Sequence, residues 1–426
     1  MNFMIVGSGP AGIFAAEAIR KRDNESPVTI VTAAENPAHS PVMLSYWMAG
    51  NSAREVLFFR DPSWFEKTMI DVRPGSPAAS LNLSYKKLVL EDGEEVNYDR
   101  LMIATGASPT PLSIPGIKSK GVASLRTLQD AETILEESHG VRDVVIIGGG
   151  FIGLKLACHL KERGLNITVL EKESKLAVRM LDRKASKIIE ENLRKQGIGI
   201  ETNVEVGEVL HERGWVTGVK TKEDLTFTCQ RIIVAVGVRP NVQWLAGSGI
   251  EISGGILVNE RMETNVPGVY AAGDAAMTLD SISSERVNNA TWPSATRQGI
   301  IAGTNMAGGN LTHASNFSMN ALNLFGLHMV AAGHSYYDED NEMNILLEER
   351  EDRYRKIVMK GRRIIGFILI GDISGAGLLL SRMKRGDEMT PELREFLSSS
   401  PFLDRNLPPH LGFHHGLIFA GKGDPS

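Results

Sequence analysis

The sequence predicts an α/β protein with two doubly wound parallel sheets and a small C-terminal α+β domain. A short apolar run, a Gly-rich turn and a helical pattern begin the chain, and the same series returns with Gly148 standing 141 positions after Gly7. Each copy is followed by a second apolar run that ends in an acid, and each half closes with a related strand and turn. Because chance would have to produce the ordered series twice, this duplication is stronger evidence than any single motif.

The duplication and the change of pattern after it predict the order of domains along the chain. Residues 1–110 and 240–314 form the first, discontinuous unit, and residues 111–239 form the second. Residues 315–387 contain four strand-like runs and then the helical run GAGLLLSRMKRG, which predicts the α+β domain. Residues 388–426 are rich in proline and weakly periodic, so we expect an extended tail that lies on this protein or on a partner.

The composition is that of a globular protein and excludes several other classes. Hydrophobic residues make up 42% of the chain and charged residues 23%, which excludes a disordered or collagenous protein. The net charge of −5 does not indicate a nucleic-acid-binding surface. No stretch approaches the ~20 apolar residues of a membrane span, so we expect a soluble cytoplasmic protein.

Cysteine and histidine usage argues against metal chemistry. The two cysteines, Cys158 and Cys229, are too few for a disulfide framework or a four-thiolate iron–sulfur site, and they form no CxxC pair. Three histidines of the tail have no accompanying carboxylate or thiol, and these are His410, His414 and His415. We therefore expect no bound metal.

The first Gly-rich turn has the residues that a dinucleotide pyrophosphate requires. Gly7 permits the tight turn out of the strand, Gly9 lets the backbone approach a phosphate, and Gly12 lets the helix pack on the strand. The phosphate would meet the free N–H groups at the positive end of the helix. Glu35 ends the next strand, where a carboxylate can accept hydrogen bonds from ribose hydroxyls. The predicted binding residues are Gly7, Gly9, Ala11, Gly12 and Glu35.

The second Gly-rich turn repeats this arrangement. Glu171 ends the following strand, and an acid there would repel a 2′-phosphate, which favours NAD over NADP. The adjacent Lys172 weakens that preference, and a solvated strand end is the alternative interpretation of Glu171. The predicted binding residues are Gly148, Gly150, Ile152, Gly153 and Glu171.

Five ordered motifs identify a family resemblance over about residues 1–386. They are IVGSGPAG, YDRLMIATGASP, VVIIGGGFIG, VAVGVRPN and TNVPGVYAAGDAA. In this order they resemble the pyridine nucleotide-disulfide oxidoreductase superfamily of FAD/NAD(P)-dependent enzymes. Within it, NADH:rubredoxin or ferredoxin reductase-type proteins and the flavin domain of nitrite reductase are most similar. The resemblance implies that the first unit binds FAD and the second binds NAD(H).

The resemblance also implies further cofactor contacts. Asp274 would hydrogen-bond the ribityl chain of FAD, with Gly273 allowing close approach, although an acid at this place is equally suited to capping a helix. Trp292 begins a helix that resembles the one whose N-terminus points at the flavin, although a Trp at a helix start is as often a core residue. The other expected contacts are Ala78, Thr105, Gly106 and Gly237.

Three positions depart from the resembled family. Val42 stands where the thiol-dependent members carry a reactive Cys, which argues against disulfide, peroxidase or thiol-assisted oxidase chemistry. Lys155 stands where Glu is usual, and Tyr46 where the reductases often carry Lys. Lys155 is a weak catalytic candidate that would either stabilise a reduced flavin or extend into solvent. Cys158 is expected to be a small buried hydrophobic residue.

The predicted function is FAD-dependent oxidoreduction of NAD(H). The cofactors carry the chemistry, and the protein aligns them. With no thiol or metal cluster in the chain, electrons would pass to or from an iron–sulfur or rubredoxin-type protein, with this chain as the flavoprotein subunit of a redox complex or as an oligomer. The alternatives are a freestanding NADH oxidase or small-molecule reductase, and an interaction protein that senses redox state through bound FAD and NAD.

Overall fold

The computed structural model describes residues 1–138, 140–313, 316–337, 343–351 and 353–391. The predicted histidines of the tail, and all of the tail beyond residue 391, lie outside these residues. No helix in the described ranges is long and apolar enough to cross a membrane. The helices are α1 (Pro10–Arg20), α2 (Pro41–Met48), α3 (Pro62–Lys67), α4 (Leu128–Glu136), α5 (Phe151–Glu162), α6 (Arg183–Lys195), α7 (Trp292–Met306) and α8 (Ala376–Arg385).

The strands are short, and many are continuous apolar runs, as expected for strands buried on both faces. In chain order they are β1 (Phe3–Val6), β2 (Val28–Val31), β3 (Ile70–Arg73), β4 (Ala78–Asn82), β5 (Lys87–Leu90), β6 (Glu95–Asn97), β7 (Arg100–Ile103), β8 (Ala107–Pro109), β9 (Val122–Ser124), β10 (Asp143–Ile147), β11 (Asn166–Glu171), β12 (Gly199–Thr202), β13 (Val206–Glu212), β14 (Trp215–Thr221), β15 (Thr226–Thr228), β16 (Arg231–Val234), β17 (Val238–Pro240), β18 (Ile256–Leu257), β19 (Val269–Ala271), β20 (Ala276–Leu279), β21 (Arg286–Val287), β22 (Met319–Leu324), β23 (Leu327–Gly333), β24 (Met343–Arg350), β25 (Arg353–Lys360) and β26 (Arg363–Ile370).

Two five-stranded parallel sheets are arranged alike, except that one outer strand comes last along the chain in the first sheet (β19) and first in the second (β9). The first sheet has the order β19-β7-β1-β2-β3, and the second has the order β12-β11-β10-β16-β9. In each sheet, the strand that precedes the Gly-rich turn lies at the centre. The next two strands of that sheet along the chain lie on one side of it, and a later strand lies on its other side. The carboxyl ends of β1 and β10 are therefore switch points, where α/β sheets bind their ligands.

Small antiparallel sheets join and flank the two parallel ones. Their orders are β4-β5-β6 and β13-β14-β15, and β18 lies parallel to β20, which pairs with β21. The chain crosses between the two parallel sheets twice, at β8 and β17, and these two strands pair antiparallel with Val238 opposite Pro109. The two crossings between the sheets are thus joined in a two-stranded connection.

The C-terminal sheet is antiparallel, with the order β22-β23-β26-β25-β24. One face packs on α8, with Phe367 and Leu379 in the shared core. The other face joins the core of the second parallel sheet, to which it contributes Tyr354, Ile368 and Ile370. The predicted fold class, two doubly wound sheets and a small α+β domain, is confirmed.

A buried ion pair fastens the C-terminal sheet to the second parallel unit. Asp182 is the N-cap of α6 and accepts a hydrogen bond from the Ala185 N–H at 2.8 Å. Its other carboxylate oxygen accepts from the Lys356 ammonium and from the Tyr354 hydroxyl, both at 2.6 Å. Because each partner satisfies the buried carboxylate, the contact is well formed despite the cost of removing the charges from water.

Candidate functional site

The first Gly-rich turn combines two tight contacts with one open position. A Cβ on Gly7, which has φ +113°, would lie 2.1 Å from the Ala104 carbonyl oxygen, and a Cβ on Gly12 would lie 1.9 Å from the Gly7 carbonyl oxygen. Gly7 and Gly12 are therefore required for packing. A Cβ on Gly9 would meet no atom within 4 Å. Gly9 is also the N-cap of α1 and provides no side-chain cap, so the first N–H groups of the helix face open space.

The second Gly-rich turn has the same geometry. A Cβ on Gly148 would lie 2.5 Å from the Ala235 carbonyl oxygen, and one on Gly153 would lie 2.2 Å from the Gly148 carbonyl oxygen. Gly150, the uncapped N-cap of α5, again has open space around it. Each turn thus leaves uncapped helix N–H groups beside open space, an arrangement suited to a phosphate.

The two strand-end acids differ in their surroundings. Glu171 accepts a hydrogen bond from the Gly149 N–H at 2.6 Å and another from the Glu173 N–H at 2.9 Å. These contacts hold its carboxylate against the second Gly-rich turn. Glu35 is exposed and lies beside Gly75, on which a Cβ would be 2.9 Å from the Glu35 carboxylate. Both acids lie at the carboxyl end of their sheets, where their carboxylates could reach the ribose of a dinucleotide bound at the neighbouring Gly-rich turn.

Asp274 pairs with an arginine that the sequence reasoning missed. The Arg126 guanidinium donates a hydrogen bond to the Asp274 carboxylate at 2.7 Å. Arg126 follows β9 of the second sheet, whereas Asp274 lies in the short 3-10 turn Gly273–Ala275 of the first unit. The pair therefore connects the two units, and it lies close to Gly106, whose Cβ would be 3.7 Å from the guanidinium. Arg126 directly precedes Thr127, the N-cap of α4, and no sequence motif indicated its contact with Asp274.

Gly273 is held in place from two sides. Its φ is +72°, and a Cβ there would lie 3.0 Å from the Ala11 side chain. Its N–H donates to the buried Gln298 side chain at 2.8 Å, a second contact that the sequence reasoning missed. Helix α7 then packs on α1 through Gly299, where a Cβ would lie 2.2 Å from the Ala11 carbonyl oxygen. The predicted residues Ala11 and Gly273 therefore meet beside the first turn.

The remaining predicted residues lie around the crossing segments and the start of α7. The Thr105 hydroxyl donates to the Asn241 carbonyl at 2.7 Å, which ties the first crossing to the second beside Gly106 and Gly237. Ala78 begins β4 and is half-buried against the first core. The half-buried Trp292 ring meets the Phe59 ring edge-on, with centroids 4.9 Å apart. A cofactor contact at each of these positions stays a prediction.

Helices α2 and α5 pack against each other. The Lys155 ammonium lies over the Tyr46 ring, 4.0 Å from its centroid. Burial lowers the pKa of Lys155 to about 8. His159 is buried one turn further along α5, with its ring 4.5 Å from the Tyr46 ring, and was not singled out in the sequence. Val42, one turn before Tyr46 on α2, is 47% exposed.

Both cysteines are unsuited to thiolate chemistry. Cys158 and Cys229 are unpaired and buried, and burial raises the pKa of each thiol to about 12. A thiol with such a pKa is protonated at neutral pH and is not a nucleophile. The prediction that Cys158 is a small buried hydrophobic residue agrees with its 2% exposure.

Comparison with known proteins identifies the family. The family model described as "Pyridine nucleotide-disulphide oxidoreductase" matches residues 1–299. The chain belongs to this family. A second model, "Rubredoxin NAD+ reductase C-terminal domain", matches residues 319–387. The chain is accordingly an FAD-dependent NADH oxidoreductase, and the open spaces at Gly9 and Gly150 fit the two dinucleotides it uses.

Three relatives show how far the similarity extends. The chain is 31% identical over 95% of its length to the epsilon subunit of the NADH-dependent phenylglyoxylate dehydrogenase of Aromatoleum evansii, of which 97% is covered. The structure of an NAD-dependent persulfide reductase from A. fulgidus matches with a TM-score of 0.85 and 27% identity, over 91% of this chain and 77% of that one. The NADH:rubredoxin oxidoreductase of Clostridium acetobutylicum matches with a TM-score of 0.75 and 25% identity, over 91% and 96% of the two chains.

Proposed function

We propose that this flavoenzyme exchanges electrons between NAD(H) and an iron–sulfur or rubredoxin-type protein, as the flavoprotein subunit of a redox complex. The flavin, when bound, accepts a hydride from NADH and can release the two electrons one at a time. That property suits a link between a two-electron donor and one-electron carriers. The reverse direction, toward NAD⁺ reduction, uses the same residues.

We propose the following roles for the chain's own residues. Residues 1–110 and 240–314 would hold FAD, and residues 111–239 would hold NAD(H). The open turn at Gly9 and the N–H groups of α1 would bind the FAD pyrophosphate, and Gly150 and α5 would do the same for NAD(H). Glu171 would accept hydrogen bonds from the NAD ribose, since its carboxylate already lies on the turn.

One observation supports the proposal that electrons leave the flavin for a carrier outside this chain. Family members that use a thiol need a reactive cysteine beside the flavin, but Val42 occupies the corresponding position on α2. The two cysteines of the chain are buried elsewhere, with protonated thiols. Electrons that reach the flavin therefore have no thiol within this chain as their next carrier, and an external carrier is the consistent destination.

The relatives support the kind of partner. The A. evansii relative, aligned over almost the whole of both chains, is named as one subunit of a dehydrogenase. The family model at the C-terminal sheet and one solved relative are both named for rubredoxin reduction. Together they favour a one-electron protein carrier over a small molecule as the acceptor.

An anaerobic two-step experiment tests the proposal. The FAD-loaded protein is mixed with NADH, and the flavin absorbance near 450 nm is followed; we expect bleaching within seconds. Oxidised rubredoxin or a two-cluster ferredoxin is then added, and we expect the flavin to reoxidise as the carrier is reduced. Air-saturated buffer without a carrier is the control, and it should reoxidise the flavin more slowly.

The alternatives make different predictions in the same experiment. Failure of NADH to bleach the flavin would mean that the protein binds the cofactors without using them for transfer. Reoxidation by oxygen that is faster than by either iron–sulfur protein would identify a freestanding oxidase. Purification from the native cell adds a separate test, because a chain that always migrates alone would contradict the subunit part of the proposal.

A further inference from the structure

Three side chains form a compact stack between α2 and α5. The Lys155 ammonium lies 4.0 Å from the centroid of the Tyr46 ring, a distance at which a cation is attracted to an aromatic face. The His159 ring lies 4.5 Å from the same ring. Lys155 and His159 are one helical turn apart, so the Tyr46 ring packs along one face of α5.

The charge of Lys155 has no carboxylate partner within the described part of the chain. The acid nearest in sequence, Glu162, instead accepts a hydrogen bond from the Asn51 side chain at 3.0 Å. The buried His159 has its pKa lowered by burial and by Lys155, so it is neutral at pH 7 and adds no charge. The other ionisable groups on elements packed against α5 are Tyr46 on α2, Asp143 on β10 and Glu171 on β11, and β22 has none.

Neither of the two strand acids forms an ion pair with Lys155. Asp143 begins β10, at the end of the strand opposite the Gly-rich turn, and accepts a hydrogen bond from the Asn166 side chain at 3.0 Å. Glu171 is held by the Gly149 N–H at 2.6 Å. The half-buried Lys155 ammonium therefore has no ion-pair partner among the described residues.

The two helices of the stack are each connected to one of the Gly-rich turns. Lys155 is on the second turn of α5, which follows directly on its N-cap Gly150 in the second Gly-rich turn. The loop before α2 is tied to the first Gly-rich turn, because the Ala38 N–H donates to the Ser8 carbonyl at 3.2 Å. Val42 and Ile152, 47% and 56% exposed, lie on the same helix faces as Tyr46 and Lys155, so the stack borders solvent-exposed surface.

We propose that the Lys155 ammonium raises the reduction potential of the bound FAD, and that the Tyr46 ring holds the ammonium in place. The inference rests on the proposed function, since it requires FAD in the first turn and NAD(H) in the second. Uptake of a hydride adds two electrons and one proton to the flavin and leaves it with one more negative charge. A half-buried cation without an ion-pair partner favours that form, and a neutral side chain would not.

Spectroelectrochemical titration of the FAD-loaded protein tests this inference without using NADH. Lys155→Met removes the charge and keeps the length of the side chain, Lys155→Arg keeps the charge, and Lys161→Met is the matched control on the same helix. We expect Lys155→Met to shift the equilibrium about tenfold toward the oxidised flavin, which is about 30 mV lower in a two-electron couple. Lys155→Arg and Lys161→Met should stay near the wild-type potential.

Tyr46 variants test the second half of the inference. Tyr46→Phe keeps the ring and should keep the wild-type potential, whereas Tyr46→Leu removes the ring and should lower it. An unchanged potential in Lys155→Met, or an equal fall in Lys161→Met, would overturn the role of Lys155. If Lys155→Met does not retain FAD, the comparison of Tyr46→Leu with Tyr46→Phe still tests the inference. Tyr46→Leu must then have a lower reduction potential than Tyr46→Phe, and equal potentials would overturn the inference.

The two proposals fail separately. In the titration, chemical reductants and mediator dyes set the potential of the solution. The reduction potential of the flavin is therefore measurable even if NADH does not reduce it. A wild-type protein that NADH cannot bleach would end the proposed function, whatever the potentials are. A protein that turns over normally while Lys155→Met leaves the potential unchanged would retain the proposed function and lose this inference.

Discussion

The Lys356 ammonium on β25 of the C-terminal sheet lies 2.6 Å from the carboxylate of Asp182, with side-chain exposures of 2% and 4%. Asp182 begins α6 of the second parallel unit, so the two residues join parts of the chain that are 174 positions apart. The same carboxylate receives the Tyr354 hydroxyl, and Ser335 donates to the Met180 carbonyl at 2.7 Å close by. The C-terminal sheet is thus anchored to the second unit by buried polar contacts as well as by an apolar core.

Removal of Lys356 should strongly destabilise the protein. Lys356→Met leaves the Asp182 carboxylate buried without its cation, and we expect the free energy of unfolding to fall by about 3–5 kcal/mol. Urea denaturation followed by circular dichroism measures it. The exposed pair Lys184–Glu349 is the control, because water screens it and Lys184→Met should leave the free energy of unfolding nearly unchanged. Equal costs in the two variants would show that burial of the first pair is energetically unimportant.

Gly9 and Gly12 should respond differently to alanine. Gly12→Ala places a Cβ 1.9 Å from the Gly7 carbonyl oxygen, and we expect a loss of about 1–3 kcal/mol in the stability of the FAD-free protein. Gly9→Ala meets no atom and has a φ of −72°, so the stability of the FAD-free protein should change by less than about 0.5 kcal/mol. Its FAD affinity should nevertheless fall roughly tenfold, about 1.4 kcal/mol, as measured by fluorescence titration. If Gly9→Ala bound FAD with wild-type affinity, the pyrophosphate would not bind at Gly9 and the prediction would be wrong.

Glu171 should determine the choice of nicotinamide cofactor. Glu171→Arg replaces an acceptor for the ribose hydroxyls by a cation that attracts a 2′-phosphate, so the ratio of kcat/KM for NADPH to that for NADH should rise at least about tenfold. Steady-state reduction of ferricyanide with each cofactor measures the ratio. Glu173→Arg, two residues further on and exposed, is the matched control. A ratio that is the same in both variants would mean that Glu171 does not face the ribose.

Lys155 should give the FAD-free protein a distinct pH dependence of stability. Its pKa in the folded protein is lowered to about 8 by burial, from an ordinary value of 10.5. Between these two values the unfolded chain binds more protons than the folded protein, so this group makes stability rise as the pH increases from about 8 to 10.5. The difference in unfolding free energy between wild type and Lys155→Met, measured by urea denaturation at pH 7, 9 and 10, isolates the effect. We expect the difference to shift in favour of the wild type as the pH rises, and a constant difference would contradict the lowered pKa.

The Gly-rich turns could be predicted because their requirements are local. A strand, a glycine at positive φ and a helix that begins without a side-chain cap are all encoded within a few consecutive residues, as at Gly7 and Gly148. Continuous apolar runs likewise indicated buried parallel strands, and the strand-rich C-terminal segment indicated the α+β domain. These parts of the fold depend on the backbone conformations that each residue type favours.

The contacts between the first and the second parallel unit depend on distant parts of the chain. Arg126 and Asp274 are 148 positions apart, and only the packing of the two parallel units brings the guanidinium to the carboxylate. Tyr46 and Lys155 meet because α2 leaves the first unit and packs on α5 of the second. No periodicity or spacing carries that information, so the sequence identified Lys155 and Tyr46 as unusual residues without predicting their contact.

The position of β19 and α7 affects how the chain is built during synthesis. Strand β19 pairs with β7 in the first sheet, and α7 covers α1 with Gly303 against the Ala15 backbone. Both elements come after the whole of the second sheet in the chain. A nascent chain therefore emerges from the ribosome with the first sheet lacking an edge strand and a covering helix, while the second sheet is already complete. The unit that begins the protein is the later of the two to close, and chains that stop before Met306 would leave its apolar face in water.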